Sequence, residues 1–147
     1  GTYDNSLTGW IGIRVRDIED DSVTDEDLAV EGVSLMTHFY DVLITELGEE
    51  RADRIMDMAA DFMDDAAAYT RAAARYVLEG RAGAGGQRKA FFGSLYEPVQ
   101  AKVNDIIEKS DAVLAGAYGN GEERIAALGD DYEVVQWYVN KRLRGGK

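Results

Sequence analysis

Apolar residues recur along this chain at helical spacing, and most breaks in the pattern fall at glycine. Over residues 25–47, Leu28, Leu35, Phe39, Val42, Leu43 and Leu47 form one stripe, which predicts a helix stopped by Gly48. Thr24 with Asp27 three residues on resembles a capping pair, and Asp25, Glu26 and Asp27 suit the positive end of a helix dipole. From residue 49 to about residue 79, two neighbouring heptad rows predict one longer helix: Ile55, Ala59, Phe62, Ala66, Tyr69, Ala73 and Tyr76, and beside them Met56, Met63, Thr70 and Val77. Small and large residues alternate on this seam, so a second helix can approach closely. Met56, Met58 and Met63 are expected to pack inside rather than to line a partner groove. Residues 10–18 alternate instead, with Ile11, Ile13 and Val15 on one side and Gly12, Arg14 and Arg16 on the other. That is the period of a half-buried strand, so an extended N-terminal arm is predicted, packed on the helices or belonging to a sheet outside this segment.

The C-terminal half is written twice. Residues 77–107 align without a gap onto residues 113–143 at an offset of 36, and 14 of the 31 aligned positions are identical; unrelated sequences would share roughly two. A fixed period of this size means stacked supersecondary units that present repeated binding surfaces or act as a spacer. Three short helices are legible in the second copy, over about residues 110–117, 120–128 and 131–143, separated by Gly119 and Gly129. Asn120 with Glu123, Asp130 with Glu133 and, in the first copy, Ser94 with Glu97 have the spacing of N-cap and N3, with Pro98 tolerated in a first turn. The opening helix of the first copy is then the tail of the long helix, which would join the halves rigidly. The expected fold is all-α: tandem small three-helix bundles preceded by two longer helices and one short strand-like N-terminal arm. The boundaries predicted are 1–68 for an acidic helical region, 69–108 for the first repeat and 109–147 for the second.

Composition narrows the function classes. At 147 residues and 46% apolar content the chain can bury packed cores. No apolar run approaches the ~18 residues of a membrane span. The start at Gly1 fits an excised domain or processed fragment. There is no cysteine, which removes disulfide, thiol and Cys-zinc chemistry. Residues 1–76 hold 18 Asp/Glu and 6 Arg, a net of −12, whereas residues 77–147 hold 10 of each sign. An acidic half and a neutral half without a basic stripe argue against nucleic acid; the acidity reads as a solvated surface, or as one that docks a basic partner.

Catalytic chemistry is not legible. The acidic run from Asp17 to Asp27 fails as a calcium loop, because Ser22 falls where the turn glycine belongs and Leu28 where the bidentate Glu belongs. His38 is the single histidine, so a zinc site or a nucleophile triad would need residues from another chain. The 28 carboxylates do not by their number define a glycosidase pair. Residues 83–86 lack the Lys-Ser/Thr of a phosphate loop and follow a helix, so they form a turn. No catalytic residue, metal or cofactor is assigned.

The second copy carries Val113-Leu114-x-Gly116, Gly119-Asn120-Gly121-x-x-Arg124, Leu128 and Tyr132-Glu133-x-Val135-Gln136-x-x-Val139-Asn140. This set resembles the tandem cell-wall-binding repeat of the choline-independent pneumococcal phage lysozyme and related peptidoglycan hydrolases. The first copy keeps Val77, Leu78, Gly80, Gly83, Gly85, Arg88, Tyr96, Val99, Gln100, Val103 and Asn104, so the resemblance covers residues ~70–145. It implies a three-helix bundle that binds the disaccharide-peptide unit of peptidoglycan without cutting it, at the cell wall or another extracellular or virion-associated site. The ligand-binding residues it implies are Tyr118, Gly119, Asn120, Gly121, Arg124, Tyr132 and Gln136, with Arg88 and Gln100 in the first copy. A sugar-peptide ligand offers hydroxyls, amides and carboxylates, which suit a fixed guanidinium fork, freed backbone donors, an amide and an aromatic face. Tyr118 stands where the family usually has Trp. In the first copy that place is Ala82, Asn120 becomes Ala84, and Phe91 and Phe92 replace Ala127 and Leu128. The first copy therefore reads as degenerate, packed by phenylalanine against the long helix, with binding weakened or absent.

The same residues also admit a structural reading. Leu114, Leu128, Val135 and Val139 have core spacing; Arg124 can pair with Asp131 or Glu133; Gln136 and Asn140 are four apart on one face. Trp137 and Tyr138 favour partial burial or an interface over sugar stacking, because the first copy has Ala101 and Lys102 there. The competing function is a structural or assembly protein, such as a phage virion component, reusing the repeat as a docking or spacer module, with residues 10–79 contacting a protein partner.

Overall fold

The computed structural model describes residues 23–145 and, of residues 35–39, the backbone alone. The arm expected over residues 10–18 lies outside the described residues. Within them the chain is helical, with no strand. By its internal contacts it divides into two units, meeting between Ala72 and Ala73.

The first unit is built on an antiparallel pair, α1 (Asp25–Leu47) and α2 (Glu49–Asp64), joined by Gly48 alone. The capping pair forms as expected: Asp27 N donates to Thr24 Oγ1 at 3.1 Å and Thr24 N to Asp27 Oδ2 at 3.3 Å. Gly48 has φ 91° and ψ 159°, and donates its N–H to Ile44 O while its own carbonyl accepts from Ala52. Leu28, Ala29, Leu43, Ala52, Ile55 and Ala59 are buried together, with Met56, Met58 and Phe62 packed against them. The close approach predicted from the small residues is made by α1: a Cβ on Gly32 would lie 3.4 Å from Met56 Sδ and 3.5 Å from Ala59 Cβ. Arg51 donates to Asp25 Oδ1 from Nε and Nη2 at 3.0 and 2.7 Å. Tyr40 Oη donates to Asp53 Oδ1 at 2.5 Å, and that bond pushes the phenol up to about 12.

The long helix expected over residues 49–79 is interrupted. Asp65 adopts φ −127° and ψ 91°, ends α2, and caps α3 (Ala66–Leu78) by accepting from Ala68 N at 3.1 Å. A side chain that can satisfy an orphan N–H makes a fresh helix start cheap here, despite the unbroken apolar rows. Met63, just before the break, is 61% exposed, so it does not pack inside as expected.

The second unit runs from the last half of α3 through α4 (Gly86–Phe92), α5 (Tyr96–Leu114), α6 (Glu122–Leu128) and α7 (Tyr132–Gly145). Short 3-10 turns, Gly93–Leu95 and Gly129–Asp131, lead into α5 and α7. Helix α5 is continuous through the junction of the two copies; the separate start expected near residue 110 does not exist. Its buried positions Val99, Val103, Ile106, Ser110 and Val113 follow one face, against which α7 sets Val134, Val135 and Val139. Leu114, expected in the core, is 43% exposed at the end of that helix. Phe91 stacks on Tyr76 of α3 at 5.4 Å and 16°, as the sequence anticipated for this phenylalanine.

Three expected caps are absent. Leu95 and Tyr132 continue from the 3-10 turns with right-handed helical backbone, so neither Ser94 nor Asp130 occupies the extended N-cap geometry. Gly121, not Asn120, caps α6, and Glu123 N bonds the Asn120 carbonyl at 3.2 Å instead of its side chain.

Candidate functional site

Both copies build the same hydrogen-bonded fork. In the second, Arg124 of α6 donates from Nη1 to Gln136 Oε1 on α7 at 2.8 Å and from Nη2 to the Gly119 carbonyl at 3.0 Å. Gln136 Nε2 then donates to Asn140 Oδ1, one turn on, at 3.0 Å. In the first, Arg88 donates to Gln100 Oε1 at 2.8 Å and to the Gly83 carbonyl at 3.1 Å, and Gln100 Nε2 to Asn104 Oδ1 at 3.2 Å. Every partner sits 36 residues from its counterpart.

The loop glycines make this arrangement possible. Gly85 and Gly121 both have φ 53°, with ψ −120° and −123°, a backbone region closed to L side chains. Gly83 and Gly119, at φ 68° and 69°, turn their carbonyls toward the arginines. The chain can then reverse between a helix end and a seven-residue helix whose third residue is the arginine.

Each guanidinium commits two of its five N–H donors within the chain. Its Nε is buried and has no hydrogen-bond partner among the described residues in either copy. A buried donor without an acceptor costs on the order of 1–3 kcal/mol, and keeping the same one twice calls for an explanation beyond packing. The planar fork can receive a carboxylate, carbonyl or hydroxyl oxygen.

Of the residues expected at the site, Arg124, Gln136, Gly119, Arg88 and Gln100 are therefore brought together, and Gly121 shapes the loop. Tyr118 is half-buried beside Gly119, Tyr132 is half-buried at the start of α7, and Asn120 is exposed. None of these three shares a side-chain hydrogen bond with the fork among the described residues. The pairing of Arg124 with Asp131 or Glu133 does not occur, because Asp131 is held by Lys102 and Lys109 at 2.8 and 2.7 Å. Asn104, Asn140 and the glycine carbonyls were absent from the expected site; the repeated four-residue spacing from glutamine to asparagine was their signal. Trp137 is half-buried, with the Arg75 guanidinium 4.6 Å from its ring centroid, consistent with the partial burial expected.

A metal centre has no candidate: no group of three or more His, Asp or Glu that could hold an ion occurs among the described residues. No helix there is long and apolar enough to cross a membrane.

Residues 110–143 match the CW_7 repeat, which is a cell-wall-binding repeat. No curated protein and no solved structure matches the chain.

Proposed function

We propose that this chain is a non-catalytic module that binds the disaccharide-peptide unit of peptidoglycan and anchors a cell-wall hydrolase or phage protein to the bacterial wall. In this reading residues 69–108 and 109–147 are tandem three-helix modules, each with one ligand fork. The observation that carries it is the twice-built guanidinium, held by a glutamine and a glycine carbonyl and left with uncommitted donors. The cell-wall-binding repeat matched over residues 110–143 supports the second copy in particular. In that copy Tyr118, Asn120 and Tyr132 would complete the contacts to sugar and peptide. The first copy, though it lacks Tyr118 and Asn120, keeps the fork, which supports binding there as well. Two weak sites on one chain raise the affinity for a polymeric wall through effective concentration.

An NMR amide titration with a soluble disaccharide-dipeptide tests this. Saturable shifts at residues 119–124 and at Gln136, lost in a folded Arg124→Ala variant, are the expected result. No shifts at millimolar ligand would overturn it.

A further inference from the structure

We infer that the two copies have opposite charge preferences, the first taking a ligand that bears a free carboxylate and the second its neutral, amidated counterpart; this rests on the binding function proposed above. The forks superimpose in chemistry, but the side chain lying over each loop glycine differs. Gln87 covers Gly83, with Oε1 2.3 Å from where a Cβ would stand, and Glu123 covers Gly119 in the same way at 2.6 Å. These are the glycines whose carbonyls accept from Arg88 and Arg124. A neutral amide thus stands over the first of these glycines and a carboxylate over the second. Glu123 is exposed and makes no ion pair among the described residues, so its charge is not cancelled locally.

The neighbouring positions reinforce the difference. Lys89 follows Arg88, with its ammonium 5.6 Å from the Tyr96 ring centroid, whereas Ile125 follows Arg124 and is 48% exposed. Gly86 opens α4, whereas Glu122 opens α6. The residues at these three positions therefore sum to one positive charge in the first copy and two negative charges in the second. Residues within one helical turn of the arginine lie inside the ~8 Å screening length at physiological salt, so an anion arriving at the guanidinium feels these charges. A like charge at such range shifts affinity by about five- to tenfold. The loss of Tyr118 and Asn120 from the first copy then marks a change of ligand preference rather than a loss of function.

The test is an NMR titration of the intact chain with two disaccharide-dipeptides that differ only in a carboxylate or carboxamide on the second amino acid. Each copy reports through its own glycine amides, Gly83 and Gly85 against Gly119 and Gly121. The acid form is expected to saturate the first copy at about five- to tenfold lower concentration than the amide form, and the order should reverse in the second. Exchanging the two side chains, Gln87→Glu with Glu123→Gln, should exchange the preferences; both residues are exposed, and each replacement already occurs at the equivalent place in the other copy. Equal preference in both copies, or preferences untouched by the exchange, would overturn the charge inference and leave binding standing. Shifts in neither copy with either ligand would overturn the binding function and this inference with it.

Discussion

Arg124 reaches from α6 to Gln136 on α7 at 2.8 Å, and the same side chain ties down the Gly119 carbonyl at 3.0 Å. One guanidinium thus fixes a helix, a loop and a second helix, and any ligand that meets it finds a group already oriented. Arg124→Lys replaces a two-armed fork with a point charge that cannot span both acceptors in plane. We expect a loss of about 1 kcal/mol in stability, with a coupling of similar size to Gln136→Ala in a double-mutant cycle read by urea denaturation. Coupling near zero would mean the bond does not contribute.

Asp131 binds the second copy to α5 through Lys102 and Lys109, and Asp105 completes the cluster at 3.1 and 3.0 Å. Burial alone would raise the Asp131 carboxyl, but the two ammonium groups outweigh it and hold it below the ordinary carboxylate value. Burial alone would lower Lys109, yet its hydrogen bonds to Asp131 and Asp105 raise it. A depressed carboxylate stabilises above its unfolded value of about 4 and loses that contribution as pH falls through the folded value; a raised lysine contributes below about 10.4 and loses it as pH rises. Stability from this cluster should therefore be flat between about pH 5 and 9 and fall on either side. In Asp131→Asn the acid-side loss should shrink, as thermal unfolding measured from pH 3 to 7 would reveal; an unchanged acid profile would exclude Asp131 as its source.

Tyr69 is 3% exposed, its ring meets Phe62 edge-on at 6.1 Å, and its buried hydroxyl has no hydrogen-bond partner among the described residues. Burial pushes the phenol well above its ordinary value. Tyr69→Phe keeps the ring and removes the unpaired polar group, so it should be neutral or stabilising by up to about 1 kcal/mol. A loss of that size in chemical denaturation would instead reveal a partner for the hydroxyl.

Gly121 and Gly86 are one residue away from being equivalent, and their backbones separate them. Gly121 has φ 53°, while Gly86 is the first residue of α4, where a Cβ would meet nothing within 4 Å. Gly121→Ala should cost about 1–3 kcal/mol, whereas Gly86→Ala should gain up to about 1 kcal/mol. Comparable midpoints for the two variants would contradict the loop geometry described.

Much of this architecture follows from residue order. Helix α1 and its capping box were legible because Thr24, Asp27, the apolar stripe and Gly48 are local signals that agree. The duplication was legible because both copies must turn at the same glycines to place the same arginine, and half-buried Trp137 because its counterpart is Ala101. What residue order left open depends on competition between partners that only folding brings together. Asp65 reads as one more polar residue in a long helix until its carboxylate accepts from Ala68. Asn120, Asp130 and Ser94 have cap spacing, but the 3-10 turns and the strained glycine ahead of each helix supply other backbone routes, so the side chains are not used. Arg124 faces nearby carboxylates in sequence, yet two lysines from α5 claim Asp131 first, and the guanidinium settles on a glutamine twelve residues away. Local helix geometry is encoded within a turn or two of chain, whereas the choice among acceptors is made by distances that arise when α5, α6 and α7 meet.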